Sequence, residues 1–235
     1  MQKVLVLNDY QAPAKKPTKE YLFCKRAMDI LISAGMILCL LPILGVVAVI
    51  AAADTHGSPI FVQERMGRAG KPFKVYKFRT MSVNAPANVA TYLLDDAQSY
   101  ISRVGGFLRK SSLDELPQLF NILKGDMSFV GPRPVVLTET ELLELRRRNG
   151  AGFVRPGLTG LAQVSGRDDV CVGLKAKLDS DYVSDMCFVT DMRIVFKTFV
   201  NVLKSEGVTE GSNPDIGSTE VDEKAEAACR SRIVS

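Results

Sequence analysis

Ile30-Leu-Ile-Ser-Ala-Gly-Met-Ile-Leu-Cys-Leu-Leu-Pro-Ile-Leu-Gly-Val-Val-Ala-Val-Ile-Ala-Ala-Ala53 is a run of 24 residues without a charge. It is long enough to cross a bilayer, and on length alone an ordinary transmembrane helix is the simplest reading. Two features point to another course. Pro42 stands in mid-block, where it removes a helical hydrogen bond and bends the helix. Cations flank both ends, Lys25 and Arg26 before the block and Arg65, Arg68 and Lys71 after it. A Lys/Arg excess marks cytoplasmic flanks, so basic residues on both sides suit a segment that enters and leaves by one face. Asp29 lies four residues after Lys25 and either pairs with it on one helix face or acts as an interfacial cap.

The surrounding composition fits a membrane-associated protein. The chain has 235 residues, enough for one ordinary domain, or a domain plus a membrane element. Hydrophobic residues make up 46% and the mean hydropathy is +0.08, near the upper end for a soluble protein. A net charge of +4 is too weak to argue for nucleic acid, and no nucleic-acid motif is present; it is compatible with an anionic membrane surface. Trp is absent, so any interfacial belt must use Tyr, Phe, Lys and Arg. The five cysteines contain no C-x-x-C pair and His56 is the only histidine, which argues against a Cys/His zinc site and any mechanism needing two histidines. Scattered cysteines in odd number suit reduced thiols facing the cytosol.

The chemistry concentrates in residues 109–134, Arg-Lys-Ser-Ser-Leu-Asp-Glu-Leu-Pro-Gln-Leu-Phe-Asn-Ile-Leu-Lys-Gly-Asp-Met-Ser-Phe-Val-Gly-Pro-Arg-Pro. Adjacent acids (Asp114, Glu115) and a third (Asp126) stand among Arg109, Lys110, Lys124 and Arg133. Carboxylates suit a divalent cation, and Arg and Lys suit a transferring phosphoryl group. Ser112-Leu-Asp-Glu115 also fits a capping box. Pro117 weakens that reading, because with Ser112 as N-cap it would fall beyond the first turn. A helix starting at or after Asp114 tolerates Pro117 better and leaves both acids at a helix mouth, as a cap or a phosphate site. Adjacent residues on a regular helix point about 100° apart, so a metal site shared by Asp114 and Glu115 needs an irregular backbone.

Elsewhere, Pro59 to Gly67 and Phe73 to Thr80 read as short strands, the second alternating apolar and basic residues with Lys74, Lys77 and Arg79 on one side or its edges. That is a solvated basic face or an anion site. Apolar spacing from Ile101 to Leu108 predicts a helix. Thr138-x-x-Glu141 is a second capping box, opening a helix that Arg146, Arg147 and Arg148 close as ordinary dipole partners. Arg155 and Arg167 bracket a glycine-rich loop, which is a tight connection or a close approach to ligand. Asp179 to Leu203 holds the longest amphipathic helix after the apolar block, with Phe188, Met192, Val195, Phe196, Phe199 and Leu203 at helical spacing, packed on a core or lying in the membrane interface.

Three segments match one family in order: residues 112–134, Tyr76-Lys-Phe-Arg-Thr-Met81, and Val154-Arg-Pro-Gly-Leu-Thr-Gly-Leu-Ala-Gln-Val-Ser-Gly-Arg167. The chain resembles the bacterial sugar transferases, monotopic polyprenyl-phosphate phosphoglycosyl transferases, from about Lys25 to about Gly207. The resemblance implies an α+β fold, mostly helical. It would hold a re-entrant helix-break-helix in one leaflet, interfacial amphipathic helices and a small cytosolic catalytic region with short strands. The family's break is commonly Ser-Pro; here it is Leu41-Pro42. The expected organisation is an extension over residues 1–20, an anchor over 21–56 with Lys25, Arg26, Asp29 and Pro42, a catalytic domain with interfacial helices over 57–207, and a disordered tail over 208–235.

The resemblance also implies the reaction, transfer of a sugar-1-phosphate from a UDP-sugar to a polyprenyl phosphate with release of UMP, on the cytoplasmic face of a bacterial inner membrane. Asp114 would be the nucleophile, with magnesium held by Asp114 and Glu115, and Glu115 either binding metal or preparing the acceptor. Arg109, Arg133 and Arg167 would bind phosphate, and Arg155, Arg79 and Lys77 join them as candidates. The partners are the two substrates and the bilayer. The alternatives are a glycosyltransferase that releases UDP and a non-catalytic membrane scaffold; the sugar, the glycan pathway and the oligomeric state stay open, a homodimer among the possibilities.

Overall fold

The computed structural model describes residues 17–85, 97–165 and 171–203. The expected extension up to residue 16, residues 86–96, Arg167 and the tail lie outside the described residues.

Helix α1, Lys19–Thr55, starts at Thr18, whose side chain accepts a hydrogen bond from the Tyr21 N–H, and ends at His56 in the left-handed region. The expected helix-break-helix is a single helix here, with Pro42 inside it. Proline withholds one helical hydrogen bond and bends a helix, and Leu40 and Leu44 on either side of it pack into two core clusters. One face of α1 is covered along its length: Asp29, Ser33, Leu44, Val47, Ala51 and Thr55 are buried, and Met36, Ile37 and Leu40 pack on Leu119 and Ile122. The other face leaves Phe23, Leu31, Leu38, Leu41, Val46 and Val49 exposed. Both ends of α1 meet the same body, since Arg26 binds a helix end near Ile122 and Asp54 accepts from Ser102.

The two predicted strands form an antiparallel hairpin, β1 (Ile60–Met66) with β2 (Pro72–Phe78), in register Ile60 opposite Phe78 and Met66 opposite Pro72. Helix α2 (Arg103–Lys110) is capped by Ser102 and crosses the exit of β2 at Gly105, where a Cβ would lie 2.1 Å from the Thr80 carbonyl oxygen. Helix α3 (Gln118–Lys124) lies against β2. Buried Asn121 joins them: its Nδ2 donates to the Lys74 carbonyl at 2.7 Å and its Oδ1 accepts from the Tyr76 N–H at 3.1 Å. Val75, Leu119, Ile122 and Met127 fill this junction.

Strand β3 (Ser128–Val130) pairs in parallel with β4 (Gly157–Thr159), and helices α4 (Thr140–Arg148), α5 (Leu161–Ser165), α6 (Val172–Ser184) and α7 (Phe188–Leu203) complete the body. Val130, Ala151, Tyr182, Val183 and Ile194 form a second core. The longest helix after α1 is α7, Phe188–Leu203, inside the expected stretch from Asp179, and it is separated from α6 after Ser184. Neither capping box forms: Ser112 makes no side-chain cap, and α4 is preceded by Glu139, whose Oε1 accepts from the Val136 N–H. The all-thiol expectation fails at Cys171, which is disulfide-bonded; Cys24, Cys39 and Cys187 are free.

Candidate active site

The acid pair sits on an irregular turn. Ser112 adopts φ 56° and ψ 17°, a left-handed conformation unusual for a residue with a Cβ. Leu113–Glu115 then forms one 3-10 turn, and Pro117 stands at the N-cap position of α3. Proline is tolerated there because its missing N–H has no helical acceptor. The backbone therefore departs from a regular helix at the two positions where adjacent carboxylates must act together.

Asp114 is buried, at 6% exposure, and Glu115 is half-buried beside it. Glu115 Oε1 accepts from Lys77 Nζ at 2.9 Å and from Arg133 Nη2 at 3.3 Å. Lys77 comes from β2 and Arg133 from the Gly-Pro-Arg-Pro segment after β3, so three separate stretches meet at one carboxylate. Burial works to raise the Glu115 pKa, but the charges of Lys77 and Arg133 and hydrogen bonding from Lys77 and Gln118 outweigh it and bring the group down to about 2. Glu115 is thus an anion at any physiological pH.

The remaining predicted cations are distributed around this centre. Arg109, in the last turn of α2, donates from Nε to Thr80 Oγ1 at 2.9 Å. Arg79 donates to the Ser58 carbonyl at 2.9 Å and lies 5.8 Å from the centre of the Phe61 ring. Arg155 donates to the Gly125 carbonyl at 3.0 Å, at the C-terminal end of α3, a helix about 10 Å long whose other end follows the acids. Burial and the nearby Arg26 and Arg68 lower the Arg155 pKa. Only Lys77 and Arg133 of this set are placed on Glu115 by the hydrogen bonds described.

The anchor residues bind the body rather than one another. Lys25 Nζ meets Asp191 Oδ2 at 2.6 Å, Tyr21 donates to the same oxygen at 2.7 Å, and Tyr182 donates to Oδ1 at 2.8 Å. Arg26 donates to the Ile122 and Leu123 carbonyls at 2.7 and 2.8 Å. Asp29 accepts from Ser128 Oγ and the Phe129 N–H, at 3.2 and 3.1 Å, so it neither pairs with Lys25 nor serves as an interfacial cap. A strand N–H in need of a partner captures it instead. On α7 only Asp191 and Ile194 are buried, and Phe188, Val189, Met192, Val195, Phe196, Phe199, Val202 and Leu203 are exposed.

Among the described residues no group of three or more His, Cys, Asp and Glu side chains is arranged to hold a metal. A divalent ion at the acid pair would draw on Asp114 and Glu115 and fill its other positions with water and ligand oxygens. That donor set fits magnesium, which binds through one or two carboxylates plus phosphate.

One buried ion pair escapes the sequence reading. Arg146, taken above with Arg147 and Arg148 as a dipole partner, is 7% exposed and bonded to Asp179, while Arg147 and Arg148 pair with Glu144 on the surface. Its position four residues after buried Leu142 puts it on the core face of α4, a signal available in the sequence.

The sequence model of the bacterial sugar transferase family matches residues 20–205. The chain is 40% identical over 202 residues to a UDP-galactose-lipid carrier transferase of Erwinia amylovora, covering 79% of this chain and 41% of that protein. It is 41% identical over 202 residues to the exopolysaccharide production protein ExoY of Sinorhizobium fredii, covering 78% and 87%. It is 38% identical over 221 residues to the undecaprenyl-phosphate galactose phosphotransferase of Salmonella typhimurium, covering 87% and 45%. The chain thus spans less than half the length of the first and third of these relatives.

Proposed function

The chain belongs to the bacterial sugar transferase family, and from that premise we propose that it is a membrane-bound phosphoglycosyl transferase, moving a sugar-1-phosphate from a UDP-sugar to a polyprenyl phosphate and releasing UMP. Relatives named for galactose phosphotransfer to undecaprenyl phosphate and for exopolysaccharide production support this reading. The observation that carries it is the meeting of Lys77 and Arg133 on the carboxylate next to buried Asp114.

In the proposed reaction an Asp114 oxygen attacks the sugar-bearing phosphorus. A P–O bond forms to the carboxylate, the bond to the UMP oxygen breaks, and UMP leaves with that electron pair. The polyprenyl phosphate oxygen then attacks the same phosphorus, gives the sugar–diphosphate lipid and returns Asp114 as a carboxylate. Two displacements replace one. Lys77 and Arg133 neutralise phosphate oxygens as charge builds on them. Glu115, kept anionic by those two cations, orders them and would help hold a metal or prepare the acceptor. Magnesium, held by Asp114 and Glu115, would add charge stabilisation on the transferring group.

The membrane reading is a re-entrant anchor on the cytoplasmic face of the inner membrane. Contacts to one body from Lys25 through Asp54 support it, because a segment crossing to the far side would carry one end away from that body. The exposed apolar sides of α1 and α7 provide surfaces for the interface.

The test is nucleotide release from a panel of UDP-sugars by the solubilised protein with magnesium and a polyprenyl phosphate. UMP is expected, and UDP instead would mean transfer of the sugar alone. Asp114→Asn is expected to abolish turnover while the protein still inserts in membrane; undiminished activity would remove Asp114 as nucleophile.

A further inference from the structure

We infer that Arg146 and Asp179 are positioning residues for Arg133, fixing it by a bond to its backbone; the inference rests on the phosphate-binding role proposed for Arg133. Residues 131–135 have no regular secondary structure, yet four successive carbonyls are held from four directions. Pro132 O accepts from the Gly157 N–H at 2.9 Å, Arg133 O from Arg146 Nη1 at 2.8 Å, Pro134 O from Arg65 Nη1 at 3.4 Å, and Val135 O from the Met66 N–H at 2.9 Å. Gly131 presses against the neighbouring chain, since a Cβ there would lie 2.5 Å from the Arg155 carbonyl oxygen. The backbone on both sides of Arg133 is therefore fixed, and the reach of its side chain to Glu115 is fixed with it.

Arg146 makes the shortest of those four bonds, and it is itself anchored. Its Nε and Nη2 both meet Asp179 Oδ2, at 2.8 and 2.7 Å, with Asp179 only 1% exposed. Asp179 is held by α6, which is tied to the end of α4 by Asn149 Nδ2 donating to the Ala176 carbonyl at 2.8 Å. A buried ion pair gives little stability over a well-packed apolar pair, but an apolar pair has no donor for the Arg133 carbonyl. Only a guanidinium presents two N–H groups to the carboxylate and a third sideways to a carbonyl in fixed geometry; a lysine ammonium lacks that fork.

The experiment is a double-mutant cycle in the solubilised full chain, reading UMP release together with thermal unfolding. Arg146→Lys is expected to lower kcat roughly ten- to a hundredfold, the scale of a small misplacement of a reacting group, with little change in the KM for UDP-sugar. In an Arg133→Ala background the same substitution is expected to change kcat less than twofold, because its effect passes through Arg133. Arg147→Lys, on the same helix and exposed, leaves turnover unchanged. Should Arg146→Lys not accumulate folded, Asp179→Asn takes its place with the same expectations. Wild-type kcat in the Arg146 variant, or an equal loss in both backgrounds, overturns the inference. A wild-type protein that releases no UMP is a different result and overturns the proposed function itself.

Discussion

The two ends of α3 use the same residue types for opposite ends. At the C-terminal end, Arg26 and Arg155 bind the Ile122, Leu123 and Gly125 carbonyls, and the third acid, Asp126, pairs locally with Lys124 at 3.2 Å. Those arginines complete a helix terminus whose carbonyls have no helical donors. At the N-terminal end, Lys77 and Arg133 share one carboxylate oxygen instead of binding backbone. A side-chain carboxylate can rearrange around an incoming phosphate, whereas a helix carbonyl cannot. Under the proposed function, the difference separates an architectural use of cations from a chemical one by about 10 Å of helix.

Glu115→Gln breaks the comparison at its chemical end. It leaves Lys77 and Arg133 close together without their shared charge, and turnover is expected to fall about a hundredfold or more, on the scale of losing a preorganised electrostatic group. Turnover within a fewfold of wild type would show that the N-terminal end is as architectural as the other. Arg26→Ala tests that other end. It removes two charge-assisted bonds to α3 carbonyls, each contributing about 1.5–3 kcal/mol. A lower unfolding temperature is expected, with kcat of the folded fraction within about threefold; a large kcat loss at unchanged stability would reverse the assignment.

The smallest effect is on acid stability. The Glu115 pKa is about 2 in the folded protein against 4.5 as its ordinary value, so on acidification the unfolded chain takes up this proton first. The stabilisation from Glu115 is complete above about pH 4.5 and fades as pH falls towards 2. Thermal unfolding between those values is expected to be less pH-dependent in Glu115→Gln than in wild type. Parallel profiles would mean that Lys77 and Arg133 do not hold this carboxylate in solution.

Much of the site was legible because its signals are local. Alternation in residues 73–80 located β2, and the conflict between Ser112-x-x-Glu115 and Pro117 announced the irregular turn under the acids. The anchor partners were not legible, since Lys25 meets Asp191 at a separation of 166 residues and no local pattern marks such a contact. The break between α6 and α7 carries no Gly or Pro within Asp185-Met-Cys187, so no local signal marks the end of α6, whereas the apolar spacing from Phe188 marks α7. Arg146 was hidden by its neighbours: three arginines at a helix end suggest one common role, and the turn of the helix gives the first of them a different one.

Asn121 works as a ruler for the charge on the acid pair. Its two bonds fasten to Lys74 and Tyr76, the residues just ahead of Lys77, and its helix starts just beyond Glu115. Strand side chains alternate between faces, so a slip of one residue would turn Lys77 away from Glu115. Length changes at the tip around Arg68–Gly70 fall upstream of the fastened point and leave the site in phase. An insertion between Tyr76 and Lys77 would instead turn Lys77 away from Glu115 while leaving every residue of the site in the chain.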